Sequence, residues 1–259
     1  MTSGAPLMET VRLTGGYDGL KVLDGVSMKV LKGEILVIVG RSGCGKSTLM
    51  NHLLGLVKPW SGEVLFEGVD IWSDEAVLAR ARRRWGVLFQ SGALLGSLTL
   101  LENVMLPLEE FTELTPAFRV SVAMDKLGKV GLEKFADAYP LEVSGGMQKR
   151  AGLARAMSLD PEVLFFDEPS AGLDPVTSAG LDDLILRINR LSGTTMVIVT
   201  HELPSIFAIS DRVVMLDSSV LGVVAEGTAE QLRDSRGDDR VEAFFGRRPP
   251  GADGGQDVS

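Results

Sequence analysis

The sequence predicts an α/β protein: a mostly parallel sheet flanked by helices, preceded by an antiparallel β-subdomain and interrupted by a helical one. Three observations predict this. Short unbroken apolar runs recur, at Glu34-Ile35-Leu36-Val37-Ile38-Val39, Val163-Leu164-Phe165-Phe166, Met196-Val197-Ile198-Val199 and Val213-Val214-Met215-Leu216. Strands that lack polar alternation fit a sheet covered on both faces. Helical stretches separate the later runs, which is the rhythm of βαβ units. The first run leads straight into Gly40-Arg41-Ser42-Gly43-Cys44-Gly45-Lys46-Ser47-Thr48, a complete G-x-x-x-x-G-K-S/T motif followed by the helical pattern Thr48-Leu49-Met50-Asn51-His52-Leu53-Leu54.

The elements can be justified in order. Residues Thr10 to Val30 alternate apolar and polar and contain the turn cluster Gly15-Gly16-Tyr17-Asp18-Gly19, so they read as antiparallel strands. Glu63-Val64-Leu65-Phe66 and Gly86-Val87-Leu88-Phe89 read as further strands. From Ser97 to about Pro140 the pattern is helical, with expected breaks at Pro116, Gly128 and Gly131. Val220 to Val224 reads as a last short strand. One folded unit is expected over 8–246, with its helical subdomain at about 97–157, and a disordered tail over 247–259, rich in Pro and Gly. His52 is expected on a helix surface, and the Arg80-Ala81-Arg82-Arg83-Arg84 run on a solvated helix face.

The composition narrows the function classes. The net charge of −9 argues against a broad polyanion-binding face, so no nucleic acid is expected as a partner. Cys44 is the only cysteine, so no disulfide within the chain is possible. The start, Met1-Thr2-Ser3-Gly4-Ala5-Pro6, lacks a basic and apolar leader, and no apolar run is long enough to span a bilayer. The expectation is a peripheral protein on the cytoplasmic side, held at a membrane only by a partner.

The Gly-rich motif is a phosphate cradle. Its glycines turn backbone N–H groups inward, and the helix start adds partial positive charge. Lys46 is expected to reach the outer phosphates and Ser47 to ligate Mg²⁺. The run Val163 to Phe166 ends in Asp167-Glu168-Pro169. The first acid is placed to hold Mg²⁺, the second to polarise a water, a contribution of about 10²–10⁴ in rate. Cys44, beside Lys46 at a helix start, is expected to carry a lowered pKa and to be alkylated readily.

Upstream lies Val143-Ser144-Gly145-Gly146-Met147-Gln148-Lys149-Arg150, where Ser144 and two glycines open a helix as a second cradle. Here the chain resembles the ATP-binding-cassette (ABC) ATPases of the P-loop NTPase fold, whose signature usually reads L-S-G-G-Q. The resemblance runs from about Val11 to Phe245. It implies that Tyr17 stacks on adenine and that Gly40 through Thr48 bind the phosphates. It implies that Gln90 senses Mg²⁺ and the γ-phosphate, and that His201 hydrogen-bonds that phosphate. Asp174, in Ser170-Ala171-Gly172-Leu173-Asp174, would cross to a second subunit. Lys46, Gln90, Glu168 and His201 would be catalytic, with Ser47, Gln90 and Asp167 on the metal. The implied ligands are ATP and Mg²⁺. The implied assembly is a homodimer in which the P-loop of one copy faces Ser144, Gly145 and Gly146 of the other.

Several local features are similar to the Mla/MCE lipid-transport cassettes. They are Leu88-Phe89-Gln90-Ser91-Gly92-Ala93-Leu94-Leu95, Leu101-Glu102-Asn103-Val104 with Pro107-Leu108, Met147 in the signature, and Asp239-Arg240-Val241-Glu242-Ala243-Phe244-Phe245. That resemblance implies an integral-membrane permease (MlaE-like), an MCE-domain lipid-binding protein, in some members a STAS-domain regulator, and the cytoplasmic face of the inner membrane. Leucines between Gln90 and Leu108 would dock the permease. Two alternatives stay open: a cassette for another importer, such as an amino-acid system, and a soluble ABC ATPase acting on nucleic acid.

Overall fold

The computed structural model describes residues 5–246; the expectation for 247–259 lies outside them. The first two strands, β1 (Pro6–Tyr17) and β2 (Leu20–Leu31), form a long hairpin turned at Asp18-Gly19. Then come β3 (Ile35–Val39), α1 (Lys46–Leu53), β4 (Ser61–Phe66), β5 (Val69–Asp70), α2 (Glu75–Arg82) and β6 (Trp85–Leu88). Helices α3 (Leu100–Phe111), α4 (Pro116–Lys129) and α5 (Gly145–Ala156) follow, with short 3₁₀ turns at Glu133–Phe135 and Pro140–Glu142. The chain continues with β7 (Val163–Asp167), α6 (Pro175–Ser192), β8 (Thr195–Val199), α7 (Leu203–Ile209), β9 (Arg212–Asp217), β10 (Gly222–Gly227), α8 (Ala229–Asp234) and α9 (Asp239–Phe244).

Two sheets result. The antiparallel one has the order β2-β1-β4-β5, and the larger has the order β10-β9-β3-β8-β7-β6. In the larger sheet β9, β3, β8, β7 and β6 run parallel, and β10 returns antiparallel along β9. β3 shows why its sequence has no polar residue. Successive side chains point to opposite faces. Ile35, Val37 and Val39 enter a core with α3 to α7, while Leu36 and Ile38 enter a second core with β1, β2, α1 and β4. Each such side chain, once fully buried, contributes about 1.5–3 kcal/mol.

Four expectations need correction. The antiparallel part is larger than Thr10 to Val30, because β4 and β5 join it. Gly128 lies inside α4 and does not break it; the break comes at Gly131. The last strand begins at Gly222, since Val220 and Leu221 form the turn from β9, with Leu221 at φ 52°. The arginine run is not simply solvated. Arg84 pairs with Glu67 and Glu162 and lies over the Phe66 ring, Arg82 donates to the Gly55 carbonyl, and Arg83 lies over Phe111. Charges that looked free in the sequence tie α2 to the antiparallel sheet, α1's exit and α3.

Candidate functional site

Four neighbouring parallel strands, β3, β8, β7 and β6, end on one edge of the sheet, and each delivers one part of the site. Open parallel sheets bind ligands at such carboxyl ends. β3 delivers the P-loop, β8 leads to His201, β7 ends in Asp167-Glu168, and β6 leads to Gln90. Residues scattered from Gly40 to His201 are thereby brought together by strand order alone.

The P-loop wraps as its glycines require. Gly40, Gly43 and Gly45 have φ of 146°, 79° and 104°, conformations an L side chain rarely adopts. Gly45 is the N-cap of α1, so the loop ends where the unpaired helix N–H groups begin. Lys46 is half-buried; its Nζ donates to the carbonyl oxygens of Gly40 at 2.8 Å and Arg41 at 3.2 Å. Arg41, Ser42, Gly43 and Ser47 are exposed, and Thr48 is buried. Tyr17 arrives from the β1–β2 hairpin; its hydroxyl accepts from Asn51 Nδ2 at 3.0 Å, which sets the half-exposed ring beside α1.

Asp167 is held by the end of β7, paired with Val199 of β8. Burial and then repulsion from Glu168 push its carboxyl above the usual range, against the pull of Lys46. Glu168 has φ 47°, a left-handed conformation costing a non-glycine residue about 1–3 kcal/mol. Its N–H donates to the Val199 carbonyl at 2.8 Å. Both carboxylate oxygens accept from His201 Nδ1, at 3.0 and 2.9 Å. The strained backbone and the imidazole together fix where this carboxylate points. Gln90 is exposed, just beyond β6.

Ser144, Gly145, Gly146 and Asp174 sit at helix starts, not strand ends. Ser144 caps α5, its Oγ accepting from Met147 N at 3.3 Å. Asp174 caps α6, Oδ1 accepting from Val176 N at 3.0 Å and Thr177 N at 3.1 Å. The two starts touch: a Cβ on Gly146 would lie 2.5 Å from Thr177 Cγ2. Ser144, Gly145 and Asp174 are exposed.

Sequence reasoning missed the side chains that lace these parts together. Gly152 of α5 lets the Gly92 carbonyl approach, where a Cβ would lie 2.9 Å from that oxygen. Arg155 donates to the carbonyls of Ala93 at 2.8 Å and Gly92 at 3.0 Å, fastening the segment after Gln90. Asn103, fully buried, accepts from Leu95 N at 2.8 Å and donates to the carbonyls of Leu95, Leu98 and Thr99. Leu100, Val104 and Leu108 are core, so of the leucines expected to dock a partner only Leu95 is largely exposed, with Leu94, Leu98, Leu101 and Leu106 half-covered.

Two expectations beside the P-loop are overturned. His52 is fully buried, its Nδ1 donating to the Val57 carbonyl at 2.8 Å and its ring against Gly15. Burial pushes its pKa down. Cys44 is 1% exposed, and burial pushes its thiol up despite the nearby Lys46 ammonium. Arg41, Ser42 and Gly43 face solvent, and this side chain does not.

The comparisons with known proteins agree with this geometry. Residues 23–171 match the ABC transporter family. The chain is 39% identical to the intermembrane phospholipid transport system ATP-binding protein MlaF of Haemophilus influenzae, over 92% of this chain and 90% of that protein. It is 40% identical to the probable ribonucleotide transport ATP-binding protein mkl of Mycobacterium tuberculosis, over 83% of this chain and 61% of that longer protein. The dimeric post-hydrolysis structure of the ATP-binding cassette MJ0796, bound to ADP and Pi, superposes with a TM-score of 0.77 at 31% identity, covering 86% of this chain and 98% of that one. The chain belongs to the ABC transporter family, as a member that binds and hydrolyses ATP.

Proposed function

We propose that the chain is the ATPase subunit of a complex that moves phospholipid or a related hydrophobic lipid between membranes. The observation that carries the lipid reading is the likeness to MlaF, which extends over nearly the whole of both chains. Among the described residues no helix is long and apolar enough to cross a membrane, so the substrate path belongs to an integral-membrane partner. That partner is an MlaE-like permease that holds this chain peripherally at the cytoplasmic face of the inner membrane, working with an MCE-domain protein and, in some systems, a STAS-domain regulator. A groove between α2, β6, α3 and α5, lined by Val87, Phe89, Pro107, Phe111 and Leu159, with half-exposed Phe89 and Phe111, suits a permease helix. The working unit comprises 8–246, with 97–157 as its helical subdomain.

In this reading Tyr17 stacks on adenine, and residues 40–48 wrap the phosphates. On arrival of the γ-phosphate, Lys46 exchanges its carbonyl partners for phosphate oxygens. Ser47, Asp167 and Gln90 offer hard oxygen donors, the chemistry Mg²⁺ prefers, and the raised Asp167 carboxyl marks a place where a cation relieves repulsion. Bound Mg²⁺ would neutralise phosphate charge. Glu168 takes a proton from the attacking water, and His201 orients Glu168 and reaches the γ-phosphate. Ser144, Gly145 and Gly146 of a second copy close the site, and its Asp174 crosses with them. ATP drives closure through its greater affinity for the closed pair, and hydrolysis removes that difference.

The test is reconstitution. The chain purified with its permease in liposomes is expected to transfer fluorescent phospholipid only with ATP, and Glu168→Gln is expected to lower turnover about 10²–10⁴-fold while ATP still binds. Copurification with a nucleotide-importing membrane protein, and ATP-independent lipid transfer, would overturn the lipid reading.

A further inference from the structure

Helix α5 starts at the signature, and its buried inner face carries a lysine. Lys149 is 6% exposed, and its Nζ donates to two backbone carbonyls, Pro169 and Ala171, each at 2.6 Å. Among the described residues no carboxylate lies within ion-pair distance of it. Burial pushes its pKa down, and the charge of Glu168 works the other way. An ammonium buried without a direct ion pair is costly, and an apolar residue of similar size would serve packing better.

What it holds is the turn after the proposed general base. Pro169 follows Glu168, Ala171 N donates back to the Glu168 carbonyl at 3.1 Å, and Leu173 N to the Ser170 carbonyl at 3.1 Å. Ser170, between the two carbonyls that Lys149 takes, buries its own hydroxyl without a partner. The turn ends at Asp174, the cap of α6. The loop from Glu168 to Asp174 is therefore braced on its α5 side by one side chain, and that side chain grows from the signature helix.

We infer that Lys149 is a positioning residue for hydrolysis: it ties the Glu168–Asp174 loop to the signature helix, so that the placement of a chain's own Glu168 follows the position of that helix. The inference rests on the composite-site reading above, in which the helix start engages the nucleotide of the second copy. Lys149 then links two events that occur at different nucleotides: capture of ATP by the signature of one chain, and water activation by the Glu168 of the same chain. Glu168, whose backbone is at φ 47°, is held on the β8 side by the Val199 carbonyl and His201, and the turn that follows it is held on the α5 side by Lys149.

The experiment separates placement of Glu168 from the integrity of α5. In the permease complex, Lys149→Met is expected to lower kcat at least ~10-fold while KM for ATP stays within ~2-fold, because nucleotide contacts are intact. Added to Glu168→Gln, it is expected to leave ATP-driven dimerisation of the isolated chain unchanged, because the signature cradle is intact. Lys149→Gln, whose amide still has two donors, is expected to recover kcat to within ~3-fold of wild type. An unchanged kcat in Lys149→Met, a loss of dimerisation together with kcat, or equal defects in the Met and Gln variants would each overturn the inference. If Lys149→Met does not fold, Lys149→Arg and Lys149→Gln are compared on the same two readouts; an Arg variant with wild-type kcat supports donation to the carbonyls, and a Gln variant with no activity but full dimerisation refutes it. Failure of the Glu168→Gln chain to dimerise with ATP would instead defeat the composite site itself.

Discussion

The start of α1 and the inner face of α5 each aim a lysine at two backbone carbonyls, and burial separates their roles. Lys46 is half-buried beside exposed loop residues, so its bonds to Gly40 and Arg41 can be traded for bonds to a phosphate. Lys149 is enclosed, and its bonds to Pro169 and Ala171 have no solvent-side competitor. The same donor chemistry serves ligand exchange in one place and loop placement in the other. Access decides between them, because a hydrogen bond in contact with water or ligand is nearly neutral to exchange, whereas a buried unpaired group costs about 1–3 kcal/mol.

The largest expected effect tests that distinction directly. A glutamine can donate two hydrogen bonds but carries no charge. At position 149, by the inference above, two donors are expected to suffice. At position 46 the charge is what opposes the phosphates, and it also restrains the Asp167 carboxyl. Lys46→Gln is therefore expected to reduce turnover at least ~10²-fold and to weaken ATP binding, while Lys149→Gln stays within ~3-fold. Parallel ATPase and nucleotide-binding assays measure both; equal losses in the two variants would erase the distinction.

The next effect concerns the signature. Ser144 is exposed at the α5 start, on the open side of the same helix whose inner side carries Lys149. Ser144→Arg is expected to abolish ATP-driven dimerisation in the Glu168→Gln background, which Lys149→Met leaves intact. Analytical ultracentrifugation with and without ATP reads the difference. The two faces of α5 would prove inseparable if both variants dimerise alike.

Much of this division was legible in the sequence, and the parts that were not share one cause. The apolar runs that became β3, β7, β8 and β9 announce themselves because both faces are covered, and the motifs at their ends follow from adjacency in the chain. The strand order β10-β9-β3-β8-β7-β6 has no local signature, since a parallel neighbour is always a crossover away. Arg84 looked solvated because Glu67 and Glu162 belong to other elements. Lys149 carries no signal either, since the carbonyls that need it are supplied by the turn after β7. Asn103 belongs to a local sequence pattern, but its clasp on Leu95 comes only from the way the segment before α3 folds against that helix.

Cys44 extends the comparison into the P-loop itself, where open and closed groups stand two residues apart. With the thiol enclosed and its pKa raised, thiolate is scarce and unreachable. Maleimide is expected to label the native chain at least ~10-fold more slowly than the urea-unfolded chain, with no further protection by Mg-ATP. Mass spectrometry follows the labelling. Rapid native labelling that ATP suppresses would place Cys44 with Lys46 on the ligand side.

His52 gives the smallest effect and the cleanest sign. Its Nδ1 is committed to the Val57 carbonyl and its Nε2 is buried without a partner, so the folded chain holds it neutral. Burial lowers its folded pKa below the unfolded value of about 6.5. Above about pH 6.5 neither state takes up the proton, and His52 contributes no pH dependence. Below it the unfolded chain binds a proton that the folded chain refuses, and stability falls as pH falls, by up to ~1.4 kcal/mol per pH unit until the folded pKa is reached. His52→Asn keeps a donor near the Val57 carbonyl and removes the titration. Urea midpoints at pH 7.5 and 5.5 measure the consequence. The wild type is expected to lose more stability across that interval than the variant, although the variant is the weaker of the two at pH 7.5 because it leaves a small cavity. Equal losses would mean that the imidazole takes up its proton in the folded state, and that the wall between α1 and the β1–β2 hairpin opens to water as readily as the loop around Lys46.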